Sequence, residues 1–259
     1  MLLSEVRGAV LHLTLDRPEV RNAFNDELIS VLTQAFRQTP AGVRAVVLAG
    51  NGPSFCAGGD LEWMRKASQY TDEENVRDAM HLGRLFKAVA ECPAAVIAAV
   101  QGAAYGGGCG LVAAADIAIA AADAKFAFSE VKLGLIPGTI SGFVIPKIGA
   151  GHARALFVTG EPFDSAHALN IGLVHEVVAV GELAAAVDRK LRHVLASGPE
   201  AVRAAKHLVL DGDLTLDECA RRLARARASK EGREGVAAFL EKRKATFVDE
   251  LEAEPAQRA

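Results

Sequence analysis

Two glycine-rich turns constrain this chain more than any other feature: Phe55-Cys56-Ala57-Gly58-Gly59-Asp60-Leu61 and Tyr105-Gly106-Gly107-Gly108-Cys109-Gly110. Each follows a short apolar run of strand length, and each precedes a stretch that reads as a helix. A strand that hands over to a helix through a glycine turn belongs to an α/β unit. The same turn has chemical use. Glycine lets a backbone N–H approach a ligand with no Cβ in the way. A helix start leaves its first N–H groups unpaired and carries partial positive charge. Two such turns meeting in space make a two-donor pocket for a carbonyl oxygen that becomes an oxyanion.

The remaining elements agree with α/β organisation up to about residue 130. Val10-Leu11-His12-Leu13-Thr14-Leu15 alternates as a strand, and Ala45–Ala49, Ala94–Val100, Ile117–Ala121 and Lys125–Phe128 follow as further strands. The continuous apolar runs among them suit strands buried on both faces. Asn25 is placed to cap a helix reaching Gln38, and Thr71-Asp72-Glu73-Glu74 to start one reaching Ala90. A short apolar helix is read over Gly108–Ala115. After Pro146 the pattern turns helical, over Gly151–Gly160, Ser165–Ile171, Gly181–Ala196 and Pro199–Asp211. Two further helices are read between Thr215 and Glu250, broken near Gly232 and Gly235. At 259 residues, 51% of them hydrophobic, the chain can bury a core without staples. The expected division is a core over 1–195 and a helical C-terminal region over 196–259.

A net charge of -3 gives no general attraction to nucleic acid or anionic membrane. Cys56, Cys92, Cys109 and Cys219 form no CxxC or zinc spacing and read as small apolar residues of a reduced compartment. The seven histidines share no metal-ligand spacing with a carboxylate. Gly-x-Ser-x-Gly is absent, no Gly-Lys-Ser/Thr follows either glycine turn, and the dinucleotide pattern lacks its acidic residue. The start shows no secretory pattern and no apolar stretch spans a bilayer, so a cytoplasmic protein is expected. Glu130 stands at the end of the Lys125–Phe128 strand, with Val131, Leu133 and Ile136 beside it. Read by position it is either a surface carboxylate or, walled by those side chains, an acid/base with a raised pKa.

Taken together, these segments resemble the enoyl-CoA hydratase/isomerase superfamily, which has the crotonase fold. The resemblance runs through Leu15-Asp16-Arg17-Pro18-Glu19-Val20-Arg21-Asn22-Ala23-Phe24, both glycine turns, Glu130 through Gly138, and Gly235-Val236-Ala237-Ala238-Phe239-Leu240-Glu241-Lys242-Arg243. It implies a spiral of ββα units with a helical C-terminal trimerisation region, assembled as a trimer or a dimer of trimers. It implies an acyl-CoA substrate whose thioester oxygen is held by the N–H groups of Gly59 and Gly107, with Glu130 as general acid/base. Ala57, Gly59, Asp60 and Leu61 are then expected along the CoA path, and Phe239 and Lys242 on CoA of the same or a neighbouring subunit. No metal or redox cofactor is implied, because CoA is part of the substrate.

One position departs from the family pattern. Many hydratases of the family carry a glutamate three residues after the second oxyanion glycine, where this chain has Gly110. A lone glutamate is the arrangement usual in Δ3,Δ2-enoyl-CoA isomerases. Against that, Ser129-Glu130-Val131-Lys132-Leu133-Gly134-Leu135-Ile136-Pro137 with Thr139-Ile140-Ser141 is similar to a bacterial methylglutaconyl-CoA hydratase branch, which also tends to lack the first glutamate. Hydration is therefore the expected activity and isomerisation the alternative. A third reading, RNA binding, rests on the basic stretch Arg221, Arg222, Arg225, Arg227, Lys230 and Arg233. The acidic balance and sparse aromatic residues argue against it, and the plain reading is a solvated face paired with Glu218 and Glu231.

Overall fold

The structure is a computed structural model that describes residues 1–252. In chain order its elements are β1 (Leu2–Arg7), β2 (Val10–Leu15), α1 (Asp26–Arg37), β3 (Ala45–Gly50), α2 (Leu61–Ala67), α3 (Asp72–Ala90), β4 (Ala95–Val100), β5 (Ala103–Tyr105), α4 (Gly107–Ala114), β6 (Ile117–Ala121), β7 (Lys125–Ala127), α5 (Gly138–Thr159), β8 (Phe163–Asp164), α6 (Ser165–Asn170), β9 (Glu176–Val178), α7 (Leu183–Leu195), α8 (Pro199–Leu210), α9 (Leu216–Ala228) and α10 (Lys230–Leu240). A larger sheet runs in the order β1-β2-β3-β4-β6-β9, and a smaller one in the order β5-β7-β8. Only β1 is antiparallel in the larger sheet. From β4 the chain crosses to β5 of the small sheet and then enters α4; from β6 it crosses to β7 and then reaches α5. These are the ββα units of the expected spiral.

Side-chain alternation along the buried strands divides the core in two. Val96, Ala98 and Val100 of β4 face a large cluster with Leu28, Leu32, Phe36, Phe86 and Leu111. Ile97 and Ala99 face a second cluster, closed by Ala186, Val187, Leu191 and Leu195 of α7. That is why β4 has no polar residue: both of its faces are covered.

The helix starts follow their caps. Asn25 accepts from the Leu28 N–H, and Thr71 with Glu74 forms a reciprocal capping box. Elsewhere the structure departs from the sequence reading. α5 begins at Gly138, upstream of the expected helix, and carries Pro146 inside it; the irregularity falls at Gly149, φ 77°. The C-terminal helices break at Ser229, not near Gly232 and Gly235, both of which lie within α10. Ser229 ends α9 and also caps α10, accepting from the Gly232 N–H. Gly232 is small because a Cβ there would run into the Ala226 carbonyl as α10 turns back on α9. Glu130 lies three residues past the end of β7, in a 3-10 turn over Ser129–Leu133.

Three residues of the basic C-terminal stretch are paired with acidic neighbours. Arg221 bonds Asp217, Arg222 bonds Asp211 and Glu218, and Arg225 bonds Glu218. The expected partner Glu231 is used differently: it accepts from the N–H groups of Glu200 and Ala201 at 2.9 and 2.8 Å, capping the start of α8. Cys56, Cys92 and Cys109 are buried and Cys219 is half-buried, all as free thiols.

Candidate active site

The first glycine turn is laid out by the opening motif. The Phe24 N–H donates to the Gly58 carbonyl at 2.7 Å, and the Asp60 N–H donates to the Phe24 carbonyl at 2.8 Å. In an extended segment neighbouring amides point to opposite sides. With Gly58 and Asp60 both turned to Phe24, the Gly59 N–H faces away from it, and it has no acceptor among the described residues. Asn22, wholly buried, holds the motif in place: its side-chain amide donates to the Asn51 and Ser54 carbonyls, and its oxygen accepts from the Arg17 N–H. Arg17 then reaches across to Asp60 Oδ2 at 2.8 Å and to the Ala23 carbonyl at 2.6 Å.

The second turn lies directly against the first. The Cys56 N–H donates to the Ala103 carbonyl at 3.0 Å, and the Tyr105 N–H donates back to the Cys56 carbonyl at 2.9 Å. Gly106 has φ 50° and ψ -117°, a backbone setting that suits glycine alone, and its N–H is taken by the Ala127 carbonyl. Gly107 is the first residue of α4, with no side-chain cap before it, so its N–H has no acceptor within the described residues. A Cβ on Gly107 would lie 2.6 Å from Phe24 Cε2, so the residue that pairs with the first turn also fixes the size of the residue in the second. The expected convergence of the two turns is thus present in the backbone ladder, and both N–H groups are unengaged.

Glu130 joins them. Its Oε1 lies 3.3 Å from the position a Cβ on Gly106 would take. Its Oε2 is buried and has no hydrogen-bond partner among the described residues. Desolvation by burial raises its pKa above the ordinary glutamate value, opposed by a smaller pull from its own backbone N–H. The wall of Leu133 and Ile136 expected around it is not there, since both side chains are exposed in the single chain. The carboxyl is instead pressed against the glycine backbone of the second turn.

Gly110, the departure noted in the sequence, has a steric meaning. A Cβ there would fall within contact of Ile140 and 2.7 Å from Phe86 Cε1. Phe86 in turn packs edge-on against Phe24, with centroids 6.3 Å apart, and against Phe143 at 6.1 Å. An aromatic block fills the place from which a second carboxylate would project.

The other residues expected at the site divide. Ala57 belongs to the first turn, its N–H held by the Arg21 carbonyl. The Asp60 carboxylate is engaged as the N-cap of α2 and as the partner of Arg17, while Leu61 is exposed. Phe239 on α10 is 80% exposed, and Lys242 follows in a left-handed conformation; no hydrogen bond or ion pair among the described residues joins either to Gly59, Gly107 or Glu130. Sequence reasoning missed Trp63 and Met64, which close over Gly59 from α2, at 3.3 and 3.4 Å from where its Cβ would lie. Trp63 Nε1 donates to Asp78 of α3 at 3.2 Å, fixing that cover. No helix among the described residues is long and apolar enough to cross a membrane.

A core of ββα units with the two glycine turns at its crossover points is the crotonase fold, and solved structures of that class superpose on it. An enoyl-CoA hydratase from Shewanella pealeana matches with a TM-score of 0.91 at 38% identity, covering 95% of each chain. Pseudomonas aeruginosa AtuE matches with a TM-score of 0.92 at 37% identity, covering 96% of this chain and 99% of that one. The profile of the enoyl-CoA hydratase/isomerase family matches residues 5–250, and the chain belongs to that family. Among curated relatives, the crotonyl-CoA hydratase of Syntrophomonas wolfei is 36% identical over 96% of this chain and 97% of its own length. The 1,2-epoxyphenylacetyl-CoA isomerase of Escherichia coli is also 36% identical, over 95% of this chain and 97% of its own. Hydratase and isomerase names thus both occur at the same distance.

Proposed function

We propose that this protein is an enoyl-CoA hydratase that adds water across the 2,3 double bond of an acyl-CoA thioester, with Glu130 as its sole carboxylate acid/base. The observation that carries this reading is the buried, unpartnered Glu130 Oε2 beside two free backbone N–H groups. The thioester oxygen accepts from the Gly59 and Gly107 N–H groups. Glu130 takes a proton from water as the water oxygen bonds Cβ. The double-bond electrons move toward the thioester, whose oxygen carries the enolate charge. Glu130 then returns the proton to Cα and the carbonyl reforms, so one water is added and the carboxylate is regenerated. One oxyanion donor is worth about 3–4 kcal/mol of barrier in sites of this kind. Ala57, Asp60 and Leu61 lie on the CoA side of this arrangement. Phe239 and Lys242 would meet CoA on a neighbouring subunit of a trimer or a dimer of trimers. The exposed Leu216, Leu223, Phe239 and Leu240 of the C-terminal helices support such an assembly. A dicarboxylic, methylglutaconyl-type acyl group in a cytoplasmic setting completes the reading.

The packing at Gly110 favours a second reading, isomerisation. With Phe86 and Ile140 filling that space, nothing there clamps the water, and one base suffices to take a proton from C2 of a 3-enoyl-CoA and return it to C4. The test compares a short 2-enoyl-CoA, methylglutaconyl-CoA and a 3-enoyl-CoA, with the parent enzyme and Glu130→Gln. Water uptake that disappears in Glu130→Gln is the expected result. Double-bond migration without water uptake replaces it by isomerisation, and full rates in Glu130→Gln overturn both.

A further inference from the structure

α4 carries the Gly107 donor at its first residue, and at its other end it meets an unusual partner. Lys147, half-buried on α5, directs its ammonium at the last turn of α4. Its Nζ donates to the carbonyls of Val112 at 3.1 Å, Ala113 at 3.3 Å and Ala115 at 2.7 Å. A helix end leaves its final carbonyls without intrahelical donors. α4 has no polar side chain of its own with which to satisfy them, being Gly-Gly-Cys-Gly-Leu-Val-Ala-Ala throughout. Three N–H groups meeting three carbonyls also answer the cost of burying an ammonium. The positive charge stands at the negative end of the helix dipole.

We infer that Lys147 is a positioning residue for the oxyanion site, fixing α4 along its axis so that the Gly107 N–H is held at the thioester oxygen. The inference rests on the oxyanion reading given above. Two features make Lys147 the effective brace. α4 is short, and its last turn carries only Leu111, Val112, Ala113 and Ala114, so apolar packing covers its flank while no side chain of its own anchors its C-terminal carbonyls along the axis. α5 also reaches α4 through Ile140 at Gly110, and it is the next helix after the turn that carries Glu130, joined to it by residues 134–137. One helix thus sets the second donor and the base relative to each other. The titratable groups that interact electrostatically with Lys147 are Asp116, held by Lys206 and the Val96 N–H, and the imidazole of His175, whose Nδ1 accepts from the Ala118 N–H. Neither reaches the three carbonyls.

The test uses Lys147→Met and Lys147→Gln in the full-length protein. A saturated acyl-CoA labelled at the thioester carbon is bound, and its carbonyl stretch is read by infrared difference spectroscopy. The parent should shift the stretch to lower frequency, Lys147→Met should lose at least half of that shift, and Lys147→Gln should fall between. Turnover should fall on the order of 10- to 100-fold in Lys147→Met while KM stays within about threefold, because a misplaced donor costs the transition state more than the ground state. Should Lys147→Met fail to fold, Lys147→Gln carries the same readout. A full carbonyl shift in the folded variants overturns the inference, whatever their turnover. No shift in the parent protein overturns the oxyanion reading itself, and with it this one.

Discussion

Glu130 combines two properties that oppose each other at neutral pH. Its ionised form is the useful base, and its burial without a partner disfavours that form. A carboxyl whose folded pKa is raised contributes most to stability when protonated, and that contribution is lost as pH rises through the folded value. Glu130→Gln should therefore lower turnover on the order of 10²- to 10⁴-fold, while its Tm at pH 7 equals or exceeds the parent's; a rate assay and a melting curve on one preparation check both. In the parent, kcat/KM should rise with pH along an acidic limb centred above the ordinary glutamate value of about 4.3. Gly110 gives the converse case. Gly110→Glu should not install a second acid but drive Phe86 and Ile140 apart, costing on the order of 1–3 kcal/mol or more, read by denaturant unfolding. This was partly legible in advance. The absence of a glutamate at 110 is visible in the sequence. That aromatic packing occupies its place is not, because Phe86 and Ile140 reach Gly110 from helices 24 residues before it and 30 after, as their numbers show.

Among the elements, the loop between β3 and α2 is tied to the opening motif by an ion pair as well as by backbone bonds. Arg17 and Asp60 are 14% and 11% exposed at their side chains and meet at 2.8 Å. Arg17→Met leaves Asp60 half-buried with only its cap bond, a loss of about 1.5–3 kcal/mol for a hydrogen bond to a charged group. For a chain of this size that corresponds to a Tm lower by roughly 3–12 °C, at about 2–4 °C per kcal/mol. Turnover should fall with it, since the Gly59 donor sits beside Asp60. Against the desolvation that burial imposes, the Glu62 N–H and Arg17 hold the Asp60 carboxyl below its ordinary range. Its contribution is thus complete at neutral pH and fades only as acid passes below about 3.9. Element reading from the sequence succeeded where a cap and a period coincided, as at Asn25, Thr71 and the strands over 45–49 and 117–121. It failed where pairing supplies the order. β5, β8 and β9 have two or three residues each and are strands only because a neighbour lies beside them. The break at Ser229 escaped because the two glycines nearby answer to close packing, not to a turn.

At the scale of the whole molecule, the two sheets and the ββα crossovers bring residues 22–24, 56–60, 104–110 and 130 to one place. The motifs were readable as separate segments, whereas their meeting is a property of strand order. The apolar side chains left on α9 and α10 carry the proposed assembly. Leu223→Asp together with Phe239→Asp should convert a trimer or hexamer to a monomer, with light scattering after size exclusion as the measure; an unchanged mass would place the interface elsewhere. Within one chain, Arg44 at the mouth of β3 donates to the carbonyls of Val194, Ser197 and Phe247. The final descent of the polypeptide is thereby moored to the first half of the sheet. A cut after Lys244 would strip this half-buried guanidinium of its Phe247 acceptor. Loosening would then be felt at the start of β3, 203 residues away in sequence, as well as at the severed end.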